Sequence, residues 1–266
     1  MSPDGIATVK ISRYSDIHNE CSRERWTPPA VDLANVVILA GDIGSHTHGI
    51  EWAAEVFPAH AANGRLIYVT GNHEYYDAHL GMVKEMRKKA TETGVRFLEQ
   101  GVIEADGVRI LGCTLWSGFS LYGGGTAMAD AMNTARRHIN DYILINTFGG
   151  KLLHPRDTAA IHQKSASWLD QELSKPFDGK TVVVTHFAPH RGCIAAKYAG
   201  DSLTAYFVTD LSWLMKKHQI AVWCYGHTHG NVDFEAENGC RVISNQRGYP
   251  NELAETGFRP ELVLEV

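Results

Sequence analysis

Cationic residues are too few here for a protein that grips nucleic acid over a broad face: 25 lysines and arginines stand against 30 aspartates and glutamates, a formal charge of −5. Binding along a phosphodiester backbone depends on clustered Lys and Arg, so a nucleic-acid partner is disfavoured. Cysteine is sparse as well. The five that occur (Cys21, Cys113, Cys193, Cys224 and Cys240) are odd in number, far apart and never in a CxxC pair, which argues against a disulfide framework or a zinc knuckle. That usage fits a reducing cytoplasm. No apolar run approaches the roughly 18 residues of a membrane helix, and residues 1–10 lack the basic-then-apolar order of a signal peptide. Neither a membrane span nor a leader is expected. Repeats, low-complexity tracts and long linkers are also missing. A chain of 266 residues with 44% hydrophobic content is therefore expected to form one α/β domain, residues 1–266.

What the chain does have is histidine, fourteen in all, set among strand-forming runs. Residues 7–12, 36–39, 66–69, 108–111, 181–184 and 220–224 are apolar, rich in β-branched side chains, and end at polar or glycine residues; they read as buried strands. Segments of helical character, 50–62, 79–93, 157–173 and 205–217, lie between them. This alternation predicts an α/β architecture with the sheet covered on both faces. Toward the end, 231–235, 241–244 and 261–266 follow without helices and predict a partly antiparallel second sheet. Residues 117–155 break the pattern with Gly123-Gly124-Gly125 and a short helical piece, and a lid-like insertion is expected there.

Five polar clusters follow the runs almost one for one: Ser15-Asp16-Ile17-His18, Gly41-Asp42-Ile43-Gly44, Gly71-Asn72-His73-Glu74, Thr185-His186 and Gly226-His227-Thr228-His229. Loops beyond the carboxyl ends of strands gather along one edge of an open α/β sheet, so the clusters should converge. They supply seven candidate ligands: Asp16, His18, Asp42, Asn72, His186, His227 and His229. Nitrogen and oxygen donors without thiolate suit Mn, Fe or Zn. Seven exceed what one tetrahedral ion can use, but serve two divalent metal ions if one carboxylate touches both. Asp42 is the candidate, because its flanking glycines permit close backbone approach. Two metals about 3.5–4 Å apart would activate a bridging hydroxide for in-line displacement at phosphorus.

The ordered set D-x-H, G-D-x-x, G-N-H-[DE], a lone H and G-H-x-H, from Asp16 to His229, resembles the calcineurin-like metallophosphoesterases. The resemblance implies a four-layer α/β/β/α sandwich with a dinuclear centre. Asp16, His18, Asp42 and His229 would hold one metal, and Asp42, Asn72, His186 and His227 the other. His73 matches the family's non-ligand histidine, placed to protonate the leaving oxygen or to bond a phosphate oxygen, so His73 and Asp42 are the expected catalytic residues. The implied activity is cleavage of a P–O bond in a small phosphorylated substrate by metal-bound hydroxide. A metal-dependent nuclease and a non-catalytic metal-binding module are the alternatives. Ser45-His46-Thr47-His48-Gly49 stands where protein phosphatases carry Asp-Arg-Gly, and Thr185-His186-Phe187-Ala188-Pro189 departs from the cyclic-nucleotide phosphodiesterase block. Cys113-Thr114-Leu115-Trp116 and residues 245–250 look like those of compact bacterial phosphohydrolases.

Arg136, Arg137, His190 and Arg247 are candidate substrate contacts, since guanidinium groups bind phosphate oxygens bidentately. His46 and His48 are expected at the rim. Trp52, Trp168, Trp213 and Trp223 are expected to pack in the core.

Overall fold

The computed structural model describes residues 8–32 and 35–266; Ala7, at the start of the first predicted strand, lies outside them. Two sheets carry the fold. The first holds β1 (Lys10–Tyr14), β2 (Val36–Ala40), β3 (Leu66–Val69), β5 (Arg96–Phe97) and β13 (Val263–Glu265), in the order β13-β1-β2-β3-β5. All neighbours run parallel except β13, which pairs antiparallel with β1. The second holds β6 (Gly101–Ala105), β7 (Val108–Cys113), β9 (Lys180–Thr185), β10 (Val222–Tyr225), β11 (Asp233–Glu235) and β12 (Arg241–Ser244), in the order β11-β12-β10-β9-β7-β6. Its four inner strands are parallel and its two edges antiparallel.

Period-two alternation explains the layering. All of β2 is buried. Val36, Ile38 and Ala40 pack with Ile110, Val182 and Val222 of the opposite sheet. Val37 and Leu39 point the other way, into a cluster with Ile50 and Trp52 of α1 (His48–Val56). Strands covered on both faces lose the apolar-polar alternation, which is why these runs are continuously hydrophobic. On the far side α6 (Pro155–Leu173) lies against β7. Helix, sheet, sheet and helix make the four layers.

Several boundaries differ from the sequence reading. The helix expected over 50–62 is two, α1 and α2 (Pro58–Ala62), because Pro58 has no N–H to continue the ladder. The segment 79–93 opens with a 3₁₀ turn before α3 (Val83–Thr93). Helix α6 begins two residues early, since Pro155 fits the first helical position and His154 accepts from the Arg156 N–H as its cap. The helix expected over 205–217 is divided into α7 (Thr204–Phe207) and α8 (Ser212–Lys217). Val208 between them bridges to Ala188, and Asp210 accepts from the Ser212 N–H. Residues 263–265 join the first sheet rather than the second. Strand β6, not among the predicted strands, forms a hairpin with the predicted β7 that turns at Asp106 and Gly107, both with positive φ, as a two-residue Asp-Gly turn allows. Trp52 and Trp223 are buried and Trp168 half-buried, but Trp213 is 43% exposed.

The insertion packs by its inner face. It comprises α4 (Thr126–His138) and α5 (Asp141–Leu144), and Ala131, Ala135, Tyr142 and Leu153 all enter the core. A two-residue strand, β8 (Ile145–Asn146), pairs with β4 (Ala78–His79), which follows the third polar cluster.

His162 fixes α6 to the loop after β7. Its Nδ1 lies 3.2 Å from the Trp116 carbonyl, and a Cβ on Gly118 would sit 2.6 Å from its ring. Burial pushes its pKa down to about 4. An unfolded histidine titrates near 6.5, so the unfolded chain takes up a proton that the native state refuses. Stability is therefore expected to fall by roughly 2–4 kcal/mol as pH drops from about 6.5 toward 4. Urea unfolding of the wild type and His162→Gln at pH 7 and pH 4.5 checks this: the variant should lose that part of the pH dependence, and equal slopes would contradict it.

Candidate metal centre

Strand order brings the polar clusters together. Asp16 and His18 follow β1, Asp42 follows β2, and Asn72 and His73 follow β3, three neighbours in the first sheet. His186 follows β9, and His227 and His229 follow β10, neighbours in the second. Asp16, His18, Asp42, Asn72, His186 and His227 are buried, and His229 is half-buried. Asp16, His18, Asp42, His227 and His229 adopt left-handed backbone, with φ from 49° to 75°. Such residues cost energy that the surrounding structure must overcome, and they concentrate at functional sites. Glycine is required at two of the turns: a Cβ on Gly71 would lie 2.1 Å from Asp42 Oδ1, and one on Gly226 2.7 Å from Asp16 Oδ2.

The predicted donor atoms converge in two groups. Asp16, His18 and His229 form one, and Asp42, His186 and His227 the other; His18 also meets Glu20 and His73 in a third, and in each the possible ligand atoms lie within 4.8 Å of one another. In the first, His18 Nε2 and His229 Nε2 face each other at 3.1 Å. Their Nδ1 atoms donate to Glu20 at 3.0 Å and to Glu252 at 2.6 Å, so in the neutral rings both Nε2 lone pairs point into the same space. In the second, His186 Nδ1 donates to the Ala40 carbonyl at 2.8 Å. Its Nε2 lies 3.2 Å from Asn72 Oδ1 and 3.3 Å from Asp42 Oδ2. Asp16 Oδ2 and His227 Nε2 are buried without a hydrogen-bond partner. Converging acceptors and unpartnered buried atoms fit cations and are costly without them.

Electrostatics point the same way. Burial opposes the charge on Asp42, yet His186 and His73 hold its carboxyl well below the ordinary range. Burial also disfavours a charged His186, but the Asp42 carboxylate raises it to about 10. His227, buried beside His186, is pushed well down instead. The carboxylates thus demand positive charge.

Several side chains outside the predicted set position these groups. Glu20 Oε1 accepts from both His18 Nδ1 and His73 Nδ1, at 3.0 Å each. Opposed by burial but stabilised by these two hydrogen bonds, its carboxyl titrates at about 2. The Asp-x-His-x-Glu spacing was the available signal. Glu74 accepts from the backbone N–H groups of Asp42, Ile43 and Gly71, pinning the second cluster to the third. Tyr249 reaches His73 Nε2 at 3.2 Å and stacks on His18 with ring centroids 4.3 Å apart.

Asp141, from the insertion, is fully buried and accepts from Asn72 Nδ2 at 2.9 Å, Tyr76 Oη at 3.1 Å and Tyr206 Oη at 2.6 Å. No local pattern marks it. By holding the amide nitrogen it turns Asn72 Oδ1 toward His186. Asp141→Asn is expected to weaken the ion on the Asn72 side by roughly 10–100-fold, the usual effect of losing an orienting partner, and to spare the other. Calorimetric Mn²⁺ titration resolves the two; equal weakening of both would contradict the assignment.

The predicted substrate contacts are not brought together. Arg136 and Arg137 are exposed on α4, away from the cleft that opens at the metal edge; His138, Ile139 and Asn140 line it instead. In α4 the small residues Ala131 and Ala135 face the core, which leaves the arginines on the solvent side. His190 accepts from the Gly192 N–H and pairs with Glu237 at 3.2 Å. Arg247 donates to the Ile17 carbonyl at 3.1 Å. Neither lines the cleft. His46 donates to the Tyr76 carbonyl, and His48 is exposed.

The family description "calcineurin-like phosphoesterase" matches residues 13–231, a span that contains all five clusters. Among solved structures, a phosphopantetheinyl hydrolase from Mycobacterium tuberculosis aligns with a TM-score of 0.72 at 20% identity, over 98% of this chain and 96% of that one. A dimetal phosphatase from Danio rerio aligns with a TM-score of 0.50 at 14% identity, over 91% and 88%. No curated protein matched. Identities this low speak for the fold alone, whereas the match over 13–231 establishes descent. The chain belongs to the calcineurin-like phosphoesterase family and is a metal-dependent phosphoesterase.

Proposed function

We propose that the chain hydrolyses a P–O bond of a small phosphate ester using two divalent ions, Mn, Fe or Zn. Asp16, His18, Asp42 and His229 would hold one ion, and Asp42, Asn72, His186 and His227 the other. The observation that carries this reading is the convergence of imidazole and carboxylate acceptors, with Asp16 Oδ2 and His227 Nε2 left unpartnered at the centre. When bound, the ions would supply Lewis acidity at phosphate oxygens and a water of lowered pKa.

The chain's own residues do the rest. Asp42 separates the two donor groups and contributes charge to both. His73 lies on the cleft with Nδ1 bonded to Glu20, which leaves Nε2 to carry a proton to the departing oxygen. Tyr249 holds that Nε2 in place. Residues 246–252 close the same site from the end of the chain, which supports 1–266 acting as a single unit. No helix among the described residues is long and apolar enough to cross a membrane. Five unpaired cysteines, four of them buried, support a cytoplasmic location.

The test is a substrate panel for the Mn²⁺-loaded protein: phosphomonoesters, phosphodiesters, nucleotides and, because the Mycobacterium tuberculosis relative is named for it, a phosphopantetheinyl ester. Hydrolysis of at least one small ester, abolished by chelation and restored by metal, is expected. A protein carrying two ions that cleaves none of them would refute the proposal.

A further inference from the structure

The cleft at the metal edge has two ends of different chemistry. Its volume is about 450 Å³. At one end stand Asp42, Asn72, His227 and His229. The other is walled by Ile139, which follows α4, and by Ile194, Leu203, Phe207 and Val208 from the segment before α8. These come from outside the five clusters. The two ends are continuous, because the Phe207 ring lies 5.1 Å from the His227 ring.

No lysine or arginine lines this cleft among the described residues. Of the cations next in sequence to its walls, Arg191 is engaged with Asp210 and the Leu121 carbonyl, Lys197 lies over the ring of the lining residue Tyr198 at 4.9 Å, and Arg137 is exposed on α4. Asp201 and Glu252 add acidic groups to the walls. Outside the metal groups a second phosphate would therefore find carboxylates, with His138 as the one imidazole and no lysine or arginine, whereas an uncharged chain would cover the apolar wall and displace water from it.

Building on the phosphoesterase reading, we propose that the cleft selects esters with a single phosphorus and an extended, uncharged, largely aliphatic group, and rejects nucleoside polyphosphates. Hydrolysis of such an ester breaks one P–O bond, adds water across it, and releases an alcohol and phosphate without any other reactant.

The test measures methyl, butyl and hexyl phosphate against ADP and ATP on the Mn²⁺-loaded protein. With burial favouring each methylene, kcat/KM is expected to rise roughly two- to fourfold per CH₂ and at least about thirtyfold from methyl to hexyl. Ile194→Lys and Leu203→Lys, at half-buried wall positions, should lower hexyl phosphate far more than methyl phosphate, removing most of that gain, and improve ADP. Calorimetric binding of methyl- and hexylphosphonate reads the same wall without turnover. A flat chain-length series in both assays, or ADP turned over faster than hexyl phosphate, overturns the cleft assignment. If no ester is cleaved while hexylphosphonate still binds at least tenfold more tightly than methylphosphonate, the cleft assignment stands and the hydrolytic reading fails.

Discussion

Asp42→Asn is expected to reduce turnover by about 10³-fold or more and to take metal content below one ion per chain. Losing metal-derived charge stabilisation removes several kcal/mol from the transition state, which sets that scale. The effect should be larger than at any other ligand position because of where the carboxylate sits. Asp42 Oδ2 lies 3.3 Å from His186 Nε2 in one donor group and 3.9 Å from His18 Nε2 in the other. Its Oδ1 is already used, accepting from the His73 N–H at 2.9 Å. Asparagine keeps that hydrogen bond and the side-chain volume, so the fold should survive while the negative charge between the groups is lost. Asp16→Asn is the control. Asp16 lies 3.4 Å from His229 and belongs to one group only, so its variant should weaken one ion and spare the other. Elemental analysis after metal saturation and gel filtration separates these outcomes; at most one ion in the wild type would end the dinuclear assignment.

His73→Ala should cost about 10²–10⁴ in kcat, the usual worth of a general acid, with metal content unchanged. His73 groups with His18 and Glu20 but stands outside the two groups that hold Asp16, Asp42, His186, His227 and His229, and its Nδ1 is tied to Glu20. A nitrophenyl ester, whose leaving group scarcely needs a proton, should lose less than an alkyl ester. Equal losses on both would assign His73 to charge stabilisation at the phosphate, and loss of metal would make it a ligand. Glu20→Gln provides an independent check, since it removes the charge that His18 and His73 share while keeping a hydrogen-bond acceptor of the same length.

The partners of the site show where reading the chain stops. Glu20 was reachable, two residues beyond His18. Asp141 was not: it is 69 residues from Asn72, inside a segment whose glycines suggest a lid. The structure instead buries Asp141 beside the metal edge. Glu252 likewise meets His229 across 23 residues. A single carboxylate has no local signature, because its role is defined by what it touches. The arginine pair, exposed and not lining the cleft, shows the complementary case. Arg136 and Arg137 were singled out by charge, but the face a helix exposes depends on which of its residues the core takes, and here the core takes Ala131 and Ala135.

Secondary structure divides in the same way. Strands β3 and β12 fall where the apolar runs put them, whereas the helix expected over 205–217 is interrupted by Val208, drawn into a bridge with Ala188. The sequence alone determined the donor types, their order and their position just after apolar runs, because a buried strand and a polar loop are each written in consecutive residues. Only the tertiary structure decided which donors lie together, which carboxylates orient them and which side chains line the cleft. Those depend on strand order across two sheets and on contacts between residues far apart in the chain, where the geometry of packing and not local chemistry sets the distances.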